Sequence, residues 1–122
     1  MTPTEEADLV RRAFAAFMAM RRADMEEILH PDFTFTSPYD DNIGRDDYFA
    51  RCWPNAGSFE RLEIRQVNAS DDCCFVLYEG RSKRGAGFRN TEYFRFEGGL
   101  IRSIEVFIGL EPGGTPAVPS SQ

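Results

Sequence analysis

The second half of this 122-residue chain limits its fold most. Between residues 59 and 109 it offers four runs rich in β-branched and aromatic residues, cut by the turn pairs Asp71-Asp72, Arg84-Gly85 and Gly98-Gly99. Turn residues recurring about every 10 to 14 positions, with strand-like runs between them, predict an antiparallel meander. The strands are expected over 59–68, 73–81, 88–96 and 100–109. Such a sheet must bury at least one face, so the first half has to supply its cover.

The first half reads as helical. Thr2-Pro3-Thr4-Glu5 has the order of a helix start, with Thr as N-cap, Pro at N1 and Glu at N3 to close a capping box. Behind it Ala7, Val10, Phe14 and Phe17 recur at three- and four-residue steps, one apolar stripe on a long first helix. Asp24 is expected to cap a short second helix with Met25, Ile28 and Leu29 inward, stopped by Pro31. Residues 33–37 alternate as a strand with Phe33, Phe35 and Ser37 on one face. Pro38 ends it, and Tyr39-Asp40-Asp41-Asn42 reads as a polar turn. A third helix follows from about Gly44, with Tyr48, Phe49, Cys52 and Trp53 at helical spacing before Pro54. The order helix, helix, strand, helix, then four strands predicts an α+β class, three helices packed on a curved, mainly antiparallel sheet. One domain is expected over 1–110, followed by a Pro- and Gly-rich tail over 111–122.

Composition supports a real core and narrows the partners. Apolar residues make up 42% of the chain, eleven of them Phe, so no disulfide or metal staple is needed for folding. A net charge of −6 argues against nucleic acid and anionic membrane, both of which reward basic surface. The one basic run, Arg81-Ser82-Lys83-Arg84, reads as a solvated hairpin tip. Cys73 and Cys74 are adjacent and point to opposite faces of a strand, and three cysteines cannot all pair. They read as reduced residues of a cytoplasmic protein. The acidic start shows no basic-then-apolar signal, and no run approaches a membrane span.

Hairpin register then places side chains. A two-residue turn at Gly98-Gly99 sets Glu97 opposite Leu100 and Glu92 opposite Glu105. A turn at Arg84-Gly85 sets Glu79 opposite Asn90. One face is then expected to carry Phe75, Leu77, Glu79, Phe88, Asn90, Glu92, Phe94, Phe96, Ser103, Glu105 and Phe107. The other carries Cys74, Val76, Tyr78, Thr91, Tyr93, Ile104, Val106 and Ile108, a surface suited to packing on another sheet. A bulge in any strand flips part of this assignment. Carboxylates among phenylalanines are costly unless paired or protonated, and facing acids raise one another's pKa. That is the condition for acid–base chemistry near neutral pH. The alternative is a half-exposed face with Glu79 and Glu105 paired to Arg81, Arg95 or Arg102.

The residues Phe33-Thr34-Phe35-Thr36-Ser37-Pro38, the acidic turn and the Gly-opened helix ending Cys52-Trp53-Pro54 resemble the SnoaL-like branch of the nuclear-transport-factor-2-like superfamily. The stretch from Phe88-Arg89-Asn90-Thr91-Glu92 through Ile104-Glu105-Val106-Phe107-Ile108-Gly109 is similar to that family's last hairpin. The resemblance, over residues 4 to 110, implies a cone-shaped, cystatin-like fold. Its curved sheet wraps the first helix, with a pocket at the open end and a homodimer across the outer sheet face. Members include isomerases, epoxide hydrolases, dehydratases, cyclases and domains without catalysis, so fold alone does not choose. The ketosteroid-isomerase pattern of helix tyrosine, strand-end aspartate and late-strand acid falls on Ala16, Ser37 and Glu92. Only Glu92 keeps an acid, and the aspartate base has no counterpart.

Other chemistry finds little support. His30, the one histidine, precedes Pro31 at a helix end, where its charge complements the dipole. No Cys/His set has zinc spacing, and Asp40-Asp41-Asn42 lacks the rest of a calcium loop. Ser37 has no base near it in sequence. No glycine-rich phosphate loop appears. Neither metal nor cofactor is expected. Two functions are carried forward. The first is a cofactor-independent enzyme acting by proton transfer on a small, mostly apolar molecule. Glu92 is its acid or base and Glu105 its partner. Asn90, Glu79, Ser37 and Tyr39 are polar contacts, and Phe14, Phe17, Phe35, Trp53, Phe94 and Phe107 are walls. The second is a module that binds a ligand or dimerises without turnover.

Overall fold

A computed structural model describes residues 1–113. The tail expected over 111–122 lies outside those residues from 114 onward. Helix α1, Pro3–Met18, begins as its sequence dictates: Thr2 Oγ1 accepts from the Glu5 N–H at 3.1 Å, and Glu5 Oε1 accepts from the Thr2 N–H at 2.8 Å. Two otherwise orphaned donors are satisfied reciprocally, an arrangement worth about 1 kcal/mol. The buried stripe is rotated slightly from expectation. Glu6, Leu9, Val10, Ala13 and Ala16 lie deepest, while Phe14 and Phe17 sit half-buried at its edge.

Helix α2, Arg22–Ile28, starts earlier than predicted, and Asp24 is not its cap. Asp24 lies in the first turn and takes the Arg21 guanidinium at 2.6 Å, where its charge also complements the helix dipole. Nor does Pro31 stop this helix. The chain is already extended at Leu29, and strand β1, Leu29–Thr36, carries Pro31 inside it. A two-residue strand not foreseen in the sequence, β2 (Ile43–Gly44), pairs antiparallel with β1. Helix α3, Arg45–Arg51, and a 3-10 turn, Trp53–Ser58, follow. Strands β3 (Phe59–Ser70), β4 (Cys73–Ser82), β5 (Gly87–Glu97) and β6 (Leu100–Phe107) then form the meander.

The six strands make one sheet in the order β2-β1-β6-β5-β4-β3, antiparallel except where β1 runs parallel to β6. Irregular pairing bends it. Strand β3 steps out of register at Glu60 and again at Arg65, and each extra residue increases the local twist. On β1 the pairing lapses between Leu29 and Thr34. Pro31 has no N–H to give, and the Asp32 N–H is donated instead to His30 Nδ1 at 2.9 Å. The facing strand carries its own extra residue, Arg102, whose guanidinium reaches the Asp32 carbonyl. The α+β class, the three helices and the curved, cone-like sheet predicted from sequence all stand, with α1 packed most closely on β3.

Two register expectations do not stand. The β4–β5 turn has three residues, not two: Ser82 N–H donates to the Ala86 carbonyl at 2.8 Å around Lys83, Arg84 and a left-handed Gly85. This pairs Tyr78 with Asn90 and Glu79 with Arg89. The β5–β6 turn holds Glu97 opposite Leu100 as read, but the bulge at Arg102 then slips the ladder by one. Glu92 faces Val106, and Glu105 faces Tyr93. A one-residue slip inverts a whole strand. Strand β5 therefore keeps its expected inward set, while β4 and β6 exchange faces. Cys74, Val76, Tyr78, Ile104 and Val106 are buried, and Phe75, Leu77 and Phe107 are exposed.

Candidate functional site

The wide end of the cone encloses a cavity of about 310 Å³ between α1, α3, the loop after β1 and the concave side of the sheet. Its walls are mostly rings, with Phe14 against Tyr78 at 4.9 Å between centroids and Phe35 against Tyr48 at 5.1 Å. Gly80 keeps the Phe88 wall in place, because a Cβ there would overlap the Phe88 ring and the Arg61 carbonyl. Polar side chains enter this apolar space at two points.

The first is Glu92, on β5 between β4 and β6. Asn90 lies on the same face of β5, 1% exposed, and β4 brings Tyr78 beside both. The Gly109 N–H donates to Asn90 Oδ1 at 3.2 Å, and Asn90 Nδ2 donates to the Tyr78 hydroxyl at 3.1 Å. That hydroxyl in turn hydrogen-bonds the Glu92 carboxylate. Asn90 takes one acceptor position on the Tyr78 oxygen, which leaves the Tyr78 proton for Glu92. Burial pushes the Glu92 carboxyl up to about 7, against the opposing pull of the Tyr78 bond. Near neutral pH its acid and its carboxylate are then comparably populated. The Tyr78 and Tyr48 phenols are pushed up, mainly by burial and then by the Glu92 charge.

The second is at the rim. Ser37 and Asp40 close a turn on each other's backbone, with Ser37 N–H donating to the Asp40 carbonyl at 2.8 Å. Ser37 Oγ accepts from the Tyr39 N–H at 3.1 Å, so its hydroxyl is engaged in the turn. This loop swings the Asp40 carboxylate over the end of α3. There Arg51 lies 2.5 Å from Oδ1, and the Cys52 thiol donates to Oδ2 at 3.5 Å. Burial, and then the Asp40 charge, push the Cys52 thiol up to about 12. It is a packed thiol, not a nucleophile.

Of the residues singled out from sequence, Glu92, Phe14, Phe17, Phe35, Ser37, Tyr39 and Phe94 line the cavity. Asn90 sits behind it as the brace of Tyr78. Trp53 is outside the lining and packs on Phe17 and Phe49 at 5.7 Å from each. Glu105, Glu79 and Phe107 are corrected outright. The register slips turn all three to the convex face, where Glu79 pairs with Arg89 at 3.2 Å and Arg65 at 3.6 Å. Glu92 therefore has no facing acid, and burial alone carries its shift. Sequence reasoning missed Tyr78, Tyr48, Asp40, Arg51 and Cys52 as cavity groups. The spacing of Tyr48, Arg51 and Cys52 on one helix face was the available signal for three of them. Among the described residues no three His, Cys, Asp or Glu side chains are placed to hold a metal ion. No helix among them is long and apolar enough to cross a membrane.

Residues 10–104 match the model of the SnoaL-like domain. The chain belongs to that family. Among curated proteins none matches this SnoaL-like domain. Solved structures share its fold at low identity. An NTF-2-like protein of unknown function from Burkholderia xenovorans is 16% identical, with 93% of this chain and 88% of that one covered at a TM-score of 0.78. An NTF2-like protein from Cytophaga hutchinsonii is 18% identical over 88% and 92% of the two chains, at 0.72. A protein of ketosteroid-isomerase-like fold from Catenulispora acidiphila, in complex with trimethylamine, is 16% identical over 84% and 85%, at 0.66. These likenesses establish the nuclear-transport-factor-2-like fold of the SnoaL-like domain and nothing of its chemistry.

Proposed function

We propose that this SnoaL-like domain is a cofactor-independent acid–base enzyme for a small, mostly apolar organic molecule, of the isomerase, dehydratase or cyclase class. The observation that carries the reading is a single one: Glu92 faces an aromatic cavity beside Tyr78, where burial pushes its carboxyl up to about 7. A group with that pKa gives and takes a proton at neutral pH at the least cost. Asn90 and Tyr78 position it, and Tyr48 is the second hydroxyl within its electrostatic reach. Asp40, three residues after Ser37, brings a second carboxylate to the cavity. It arrives paired with Arg51, 2.5 Å away. The trimethylamine held by the Catenulispora protein supports a cone of this kind taking a small organic guest.

The test needs no known substrate. Elimination of 5-nitrobenzisoxazole requires only a carboxylate base in an apolar site, which takes the ring C–H proton as the N–O bond breaks. The rate is expected to rise with pH through about 7 and to fall about 10²- to 10⁴-fold in Glu92→Gln. An unchanged rate in that variant ends the assignment of Glu92.

A binding module without turnover is the second reading, and Asp40 favours it, since its pairing with Arg51 leaves Glu92, among the described residues, the one lining acid without a counter-ion. A ligand co-purified intact supports this reading, and a chemically altered one supports the enzyme. For either function we propose a homodimer across the convex face. There Phe75, Leu77 and Phe107 are exposed and the Phe75 ring lies tilted against Tyr93, 4.6 Å between centroids. Light scattering of wild type against Phe75→Lys tests it.

A further inference from the structure

The cavity's charges do not balance. Its lining carries two carboxylates, Glu92 and Asp40, and one guanidinium, Arg51, already committed to Asp40. Glu92 receives a hydrogen bond from Tyr78, but among the described residues no cation stands against it. The cavity it faces is lined by rings from four elements: Phe14 of α1, Tyr48 of α3, Tyr78 of β4 and Phe94 of β5, and the Tyr48 and Tyr78 phenols feel the Glu92 charge. Phe14 holds two of these walls together, 4.9 Å from Tyr78 and 6.3 Å from Phe94.

We infer that the cavity takes a small organic ammonium cation, a substituted amine in its charged form, with the nitrogen set between the Glu92 carboxylate and the rings of Phe14, Tyr48, Tyr78 and Phe94. A neutral guest leaves the burial cost of an ionised Glu92 in place. A cation offsets that cost with an opposite charge in a space that screens little, and the ring quadrupoles add to the attraction. The apolar arms of a substituted amine fill the remaining phenylalanine-lined volume, which lies at the small end of the range for ligand sites. Binding and ionisation are then linked: the amine favours the carboxylate form of Glu92, so a proton leaves Glu92 as the amine enters. This rests on the cavity being a small-molecule site and goes further by naming the guest.

The phenols and the thiol that face this space stay out of a titration near neutral pH. Tyr39, Tyr48, Tyr78 and the Cys52 thiol are all pushed up, away from that range. The lining's charged pair, Asp40 and Arg51, meets at 2.5 Å.

The experiment is calorimetric titration of the full chain with choline, whose charge is fixed, and with its neutral isostere 3,3-dimethylbutan-1-ol. Choline is expected to bind more tightly, and its affinity to fall roughly tenfold from about pH 8 to about pH 6 as Glu92 protonates. The alcohol's affinity should not fall over that interval. In Glu92→Gln the preference for choline should be lost. Should that variant fail to fold, the sign of the pH dependence in wild type decides alone. Equal binding of the pair, binding of neither, or choline affinity rising toward acid overturns the inference. Elimination of 5-nitrobenzisoxazole separates the two failures: if it persists when choline fails, the amine is wrong and the acid–base site stands.

Discussion

Two glutamates lie inside this small domain, and their surroundings differ in kind. Glu92 has a directed hydrogen bond from Tyr78, a brace behind that bond and a cavity in front of it. Glu6, in the first turn of α1, is fully buried beside Cys74, and neither of its carboxylate oxygens has a hydrogen-bond partner among the described residues. An acid that sits in a built environment is an instrument of chemistry. One that sits in none is a cost the fold carries. The pair therefore differs in partners and access rather than in burial, which Glu6 has in greater measure.

The largest expected contrast is in pH dependence. Glu92 moves from an ordinary 4.5 to about 7 on folding, so between those values the folded state holds more of its proton than the unfolded state does. Stability is then fully present below the lower value and falls as pH rises through the upper one, by up to about 3 kcal/mol. Urea denaturation across that window should show the loss in wild type and a flat profile in Glu92→Gln. A profile equally steep in the variant would place the titration elsewhere.

Next in size is the release of the burden at Glu6. Glu6→Met keeps the length of the side chain and removes two orphaned oxygens, and it should raise stability by about 1–3 kcal/mol. The elimination rate at Glu92 should stay within about twofold, because Glu6 is outside the cavity lining. A loss of stability instead would reveal an undetected partner for Glu6 and erase the contrast.

What the sequence disclosed follows the same division between local and non-local causes. The capping box at Thr2 and Glu5, the turn at Gly98-Gly99 and the inward set Asn90, Glu92 and Phe94 are fixed by residues close to one another in the chain. All were legible. The bulge at Arg102 is not local in that sense: it answers the break at Pro31 on a strand some seventy positions earlier. The tip after Ser82 misled by one residue, since Arg84-Gly85 serves a two- or a three-residue turn equally well. Those two slips moved Glu105, Glu79 and Phe107 out of the cavity and Tyr78 into it. Asp40 was hidden differently. As part of a run of polar loop residues it read as turn chemistry, and only the position of α3 gives its carboxylate Arg51 and Cys52.

The smallest expected effect tests whether the environment of Glu92 is built or incidental. Tyr78→Phe removes one hydroxyl from a buried ring and leaves the packing of Phe14 and Phe88 on that ring intact. The Tyr78 bond favours the charged form of Glu92, so its loss should raise the pKa further, by up to about one pH unit. The inflection in the elimination rate should move up with it. The rate at neutral pH should fall, and the plateau at high pH should be nearly kept, because the carboxylate itself remains. Asn90 would then face an empty place where it had an acceptor, and Asn90→Leu in the same background should cost less than it does in wild type. An inflection that stays at about 7 in Tyr78→Phe would mean that burial alone sets Glu92. The difference from Glu6 would then reduce to access.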